Sequence, residues 1–420
     1  NSATNGFNTA WPWLRFLQLD PSGATQPVTG LPYSYLASGM GAVAARSDWS
    51  KTASWMSFRA GPYVNNPGQG EEYFDQGSIA LVRGNTPLLL NATGWLVHDP
   101  AGTAEENRIY NDNFGSFSGS DPYSGNRQPY NIFYVRNMSG STIAERYGQV
   151  AYTGDDGVKT KVQGFEDGDS YVYVLATGLE DMYRRFSAGA GVAKWARQIV
   201  FVRPKLFVVY DRTTSGKESY DQYLAWHFPG NPVAGSSADA GGKRLDVSYG
   251  STYAGAMTTV YPRNATLDTT ALYPSSNPVK AWQVQERPAA SGVNQQWLTV
   301  FDLSTSSGAV AAAKPVESTA GGIIGVQLAA ADGNAVVVSS SGAAGTPIAG
   351  NISYVVDDRA ARHVITELVP SKGYTVTQKA ENGTLTISVA GGGTQMSSAQ
   401  GVLTFTTQGS GTPPPQPPTD

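Results

Sequence analysis

The stretch Gly68 to Trp95, GQGEEYFDQGSIALVRGNTPLLLNATGW, places a cluster of polar side chains directly before a clean apolar strand. Gly68 and Gly70 give a flexible approach, Glu71, Glu72, Tyr73 and Asp75 crowd together, and a strand is predicted from Ser78 to Val82. Glu71, Tyr73 and Asp75 stand at period two, so a strand extended backward projects all three from one face. Three uses fit that face: acid/base chemistry, capture of a hard cation such as Ca²⁺, or a solvated edge whose charges discourage pairing with another chain.

Outward from this segment the period-two pattern continues from about Tyr33. It predicts strands at Ser54 to Arg59, Tyr171 to Leu175, Ile199 to Val202 and Leu206 to Tyr210, with turn residues between them. Arg203-Pro204-Lys205 reads as a tight reversal joining the last two. After about Val300 the residues become smaller, and short strands are expected at Ile323 to Leu328, Ala335 to Val338, Ile352 to Val356, Tyr374 to Thr377, Leu385 to Val389 and Val402 to Thr406. No fixed-length repeat emerges, which argues against a propeller or a β-helix. One helix is predicted, Asn8 to Asp20, with Pro12 in its first turn and Pro21 beyond its end.

These elements predict an all-β chain: a large antiparallel β-sandwich over 33–300, a smaller C-terminal β-sandwich over 301–408, and a Pro-rich linker over 409–420. Residues 1–32 read as the helical remnant and connector of a preceding domain. The final run, GSGTPPPQPPTD, is a semi-rigid spacer of the kind that joins modules of secreted bacterial enzymes, so an extracellular location and a further module or anchor are expected.

Composition excludes several functions. The chain has no cysteine, hence no disulfide framework, thiolate metal site or cysteine nucleophile. Its net charge of −4 offers no basic field for nucleic acid, and no apolar run is long enough to span a membrane. His98, His227 and His363 are too scattered for a histidine metal cluster unless the fold brings them together. His227, in YLAWHFP, reads as a packed strand residue, and His98, beside Asp99 and Pro100 in a turn, as the more interesting of the three. Arg184 and Arg185 are suited to bidentate carboxylate binding or to surface ion pairs.

The run from Leu31 to Gly94 resembles the entry to the β-sandwich of heparinase II/III-type polysaccharide lyases. The resemblance rests on Arg46-Ser47-Asp48-Trp49, the Gly61-Pro62 bend, Asp75-x-Gly77-Ser78 and the following Leu-Leu strand that ends at Asn91. It implies a helical toroid followed by a large and a smaller sandwich, acting on acidic polysaccharides by β-elimination. Under it, Glu71, Tyr73, Asp75 and Tyr110 are the candidate catalytic groups, and His98, Arg184 and Arg185 the candidate substrate-binding groups. The family's two histidines are replaced by Glu71 and Tyr73, and its metal-binding aspartate by Asn91. A further family histidine, followed by Asn, would fall at Glu106-Asn107. No zinc site of the family type and no cofactor is therefore expected, Ca²⁺ being the one cation that the acidic cluster suits. The expected partners are an acidic polysaccharide, the helical toroid portion or further copies of the chain. The alternative is a non-catalytic extracellular protein on the same scaffold, either carbohydrate-binding or self-assembling.

Overall fold

A computed structural model describes residues 28–61, 75–91, 130–149, 159–186, 191–249, 253–271, 281–304, 310–319 and 322–409. The chain divides into a short unit, Asn1–Pro32, and a large one, Tyr33–Asp420. In the short unit the described part contains a 3-10 turn at Val28–Gly30. The helix predicted over Asn8 to Asp20 and the Pro-rich run lie outside the described residues.

The large unit is built of antiparallel sheets, the single parallel strand pair being Gly333–Ser340 with Ala361–Ile365 among the described residues. Its centre is an eight-stranded sheet whose middle hairpin is Val192–Val202 and Leu206–Ser215. These strands read as nearly continuous apolar runs because both of their faces are covered. Ile199, Phe201, Phe207 and Val209 enter one core, and Val200, Val202, Leu206 and Val208 enter another. A slip of one residue in register would exchange the two sets, so the double burial fixes the pairing of Val202 with Leu206 through Arg197 with Asp211. Phe201 and Phe207 stack in parallel 4.1 Å apart on the first face.

That first face packs against two five-stranded sheets. One runs in sequence order from Ser34–Ala37 to Thr86–Leu89, and the other pairs Asp221–Phe228 between Trp282–Arg287 and Phe133–Ser139. The second face meets the sheet that includes Ile323–Ala330 and Gly333–Ser340. Beyond this sheet a further core, with Tyr354, Ile365, Ile387 and Leu403, joins it to a last sheet centred on Ile352–Asp357 and Thr384–Gly391. The result is a stack of layers sharing the eight-stranded sheet, with the all-β sandwich architecture read from the sequence.

Candidate active site

The strand expected from Ser78 begins at Ile79, and Asp75 to Ser78 forms a tight turn in front of it. The amide of Ser78 donates to the Asp75 carbonyl at 2.8 Å, and Gly77 has a φ of +89°. Only glycine fits here: a Cβ would stand 2.5 Å from the Trp195 ring, which lies against the Gly77 α-carbon. The turn therefore ends any straight period-two projection at Asp75. Asp75 sits at the rim, 3.5 Å from the Arg59 guanidinium.

Beneath the turn lies a buried polar cluster assembled from sequence-distant segments. Arg197 is fully buried and directly opposite Asp211, to which its Nε donates at 2.8 Å. Its Nη1 donates to the carbonyls of Gly77 (2.7 Å) and Asn131 (2.6 Å). The guanidinium lies over the Trp195 and Trp226 rings, and Trp195 Nε1 donates to Asp211 at 2.6 Å. Burial holds the Asp211 carboxyl above its ordinary value, a rise that the Arg197 charge offsets only in part.

Asn131 joins the two five-stranded sheets of the first face. Its Nδ2 donates to the carbonyls of Ile79 (2.8 Å) and Leu90 (2.9 Å), and its Oδ1 accepts from the His227 amide at 2.8 Å. Ser78 Oγ accepts from the Asn131 amide at 3.1 Å and donates to Asn91 Oδ1 at 2.6 Å. The His227 ring lies between Asn131 Oδ1 (3.0 Å from Nδ1) and Gln283 Nε2 (3.1 Å from Nε2). That pattern assigns the proton to Nδ1, with Nε2 accepting. His227 is fully buried, so it is the packed strand residue the sequence implied and holds the cluster together instead of reaching solvent.

Of the candidate residues, Asp75 is described and stands at the rim of this cluster. Glu71, Tyr73, His98 and Tyr110 lie outside the described residues, as does the Glu106-Asn107 pair. Arg184 and Arg185 belong to the 3-10 helix Leu179–Phe186, their side chains outside the described set. The residue brought to Asn91 is Asn131, preceded by Tyr130, with its Nδ2 at 3.4 Å from Asn91 Oδ1. Sequence reading also missed Arg197, Asp211 and Gln283. The available signal was an Arg and an Asp inside otherwise apolar runs, where a charge is tolerated only if paired.

The described residues do not fit a zinc centre of the lyase type. Asn91 brings a neutral amide whose oxygen already accepts from Ser78 and Asn131, where zinc requires an anionic or imidazole donor. Among the described residues no three His, Asp or Glu side chains converge to hold a metal.

No protein-family model and no curated protein matches the chain. Among solved structures it is similar to the heparan sulfate lyase HepC from Pedobacter heparinus, with a TM-score of 0.52 and 16% identity over 79% of this chain and 46% of that one. It is also similar to a heparinase III, with a TM-score of 0.52 and 13% identity over 80% of this chain and 49% of that one. The chain thus spans less than half the length of these lyases. Over the span it shares with them, it has the polysaccharide-lyase-like fold of their β-sandwich part.

Proposed function

We propose that this chain is the β-sandwich half of a polysaccharide lyase that cleaves an acidic polysaccharide by β-elimination outside the cell, together with a helical toroid portion. The observation that supports it is the anchored Asp75–Ser78 turn. Its carbonyl at Gly77 is held by the buried Arg197, its Ser78 hydroxyl by Asn91 and Asn131, and Gln149 Oε1 accepts from the Gln76 amide at 3.0 Å. The turn is thus braced on three consecutive residues, and acid/base chemistry in the adjoining sequence depends on such fixed support. In this reading Glu71 and Tyr73 supply the base and acid, with Tyr110 as a further catalytic group. Asp75 orients them, while His98, Arg184 and Arg185 bind the substrate carboxylates. The family's zinc has no part in it, and Ca²⁺ is the cation the acidic segment would take.

β-Elimination removes the proton at C5 of a uronate, forms the C4=C5 double bond and expels the oxygen at C4, which takes a proton from the acid. The conjugated product absorbs in the ultraviolet. A panel of acidic polysaccharides incubated with the protein is expected to give that absorbance with at least one substrate, and a Glu71→Ala, Tyr73→Ala double variant to lose it. Absorbance unchanged in the double variant would refute the assignment.

A second reading, a non-catalytic carbohydrate-binding or self-assembling protein on the same scaffold, is favoured by the neutral amide at Asn91. Binding of the same polysaccharides without any product would establish it.

A further inference from the structure

On the second face of the eight-stranded sheet, cross-strand rows can be followed outward from the core. The row Leu175, Gln198, Tyr210 and Leu298 is covered by the C-terminal sheet, with Gln198 Nε2 donating to Ser339 (2.6 Å) and Thr366 (3.0 Å). The next row is Ala196, Arg212 and Gln296, and the outermost is Lys194, Thr214 and Asn294. The sheet that covers the first row ends here, and the face changes from apolar to polar within two residues from Leu175 to Thr177, from Tyr210 to Arg212 and from Leu298 to Gln296. Around these outer rows runs an open groove of about 500 Å³, walled by Ser341–Ala344 on one side and by Thr177 and Glu180 on the other. That volume lies within the roughly 300–1,000 Å³ range of small-ligand clefts.

The groove is cross-braced by hydrogen bonds. Arg212 holds Glu367 through two bonds, Nη1 to Oε2 at 2.9 Å and Nη2 to Oε1 at 3.0 Å, and Glu367 Oε1 also accepts from the Gly345 amide at 2.8 Å. Gln296 Nε2 donates to the Ser341 carbonyl at 2.7 Å, so the wall is tied to the floor twice. Thr214 Oγ1 donates to Asn294 Oδ1 at 2.8 Å, which aligns the outer row and turns the Asn294 amide nitrogen to other acceptors. Lys194 is exposed, and Glu180 accepts from the Trp195 amide at 3.2 Å.

We propose that this groove binds a short saccharide segment at a site separate from the Asp75 turn. Amides, hydroxyls, one ammonium and one carboxylate, spaced by strand pairing at about 5 Å, match a ligand that presents alternating hydroxyl donors and acceptors along a chain. Lys194 would take an acidic substituent, and Asn294 and Gln296 the ring hydroxyls. Such a site would hold polymer to the protein independently of cleavage and raise apparent affinity through a second point of attachment.

Calorimetric titration of the protein with oligosaccharides from an acidic polysaccharide, and separately with neutral hexose oligosaccharides, tests this. Binding of either series that weakens at least tenfold in an Asn294→Ala, Gln296→Ala variant supports the groove. Loss of only the acidic series in Lys194→Ala identifies the charged substituent as part of the ligand. A Glu71→Ala, Tyr73→Ala variant is expected to retain groove binding, so failure of the lyase reading and failure of this one are separable. No binding of either series, or binding unaffected by the groove substitutions in proteins with wild-type melting temperatures, would overturn the proposal.

Discussion

Arg197 and Asp211 face each other in register on adjacent strands, form a fully buried ion pair, and through the same guanidinium clamp the Gly77 carbonyl 120 residues away. One side chain therefore couples the central sheet to the turn in front of Ile79.

Removing one partner leaves the other charge buried without compensation, which typically costs about 3–5 kcal/mol. Arg197→Met and Asp211→Asn are each expected to lower the unfolding free energy extrapolated from urea titration by an amount of that order. Their effects should be less than additive in the double variant, because the pair is lost only once. Additive losses would show that the two side chains act independently.

Gly77→Ala combines a positive φ with a Cβ driven into the Trp195 ring. The expected loss is about 2–4 kcal/mol, from backbone strain of about 1–3 kcal/mol together with overpacking. A thermal melt close to wild type would mean that the turn relaxes freely and is not the anchor described here.

Glu286 is buried with Trp226 Nε1 donating to Oε2 at 2.7 Å and Thr299 Oγ1 to Oε1 at 3.0 Å, and burial pushes its carboxyl up to about 7. A raised carboxyl favours the protonated native state, so its contribution is complete below the unfolded value near 4.5 and is lost as pH rises through 7. The loss amounts to about 3 kcal/mol at most. Stability measured from pH 4.5 to 8 should therefore fall less in Glu286→Gln than in wild type. Parallel profiles would contradict the burial effect.

His363 has the opposite sign. Its Nδ1 lies 2.7 Å from the Tyr354 hydroxyl, its ring stacks on Phe405, and burial lowers it to about 4. The neutral ring stabilises the C-terminal sheets fully above pH 6.5, and that contribution is lost as pH falls from 6.5 through 4. Urea unfolding of His363→Phe should show a lower midpoint at pH 7 but a flatter profile over that window. An acid slope equal to wild type would exclude His363 as its source.

The half-buried strand Ser54–Arg59 was legible at its full length, since burial alternates along it. The central strands were legible only in part. Val192–Val202 was expected from Ile199, because Lys194 and Arg197 interrupt the apolar run and are held in the strand by partners on the neighbouring one. The Asp75-Gly77-Ser78 signature pointed to the right turn. Its foundations did not show, because Asn131, Arg197 and His227 meet it only through long-range packing. The approach of Asn131 to Asn91 shows the same limit, since the length of an intervening segment hides which residue returns to a site.

The most direct test of the lyase reading is the mass of the products from an acidic polysaccharide that the protein depolymerises. Elimination leaves a new non-reducing end lighter by one water than the hydrolysis product, together with an olefinic proton signal at C4. That product, absent in the Glu71→Ala, Tyr73→Ala variant, is the predicted result. Products carrying the added water, or an acidic polymer bound but never shortened, would contradict it.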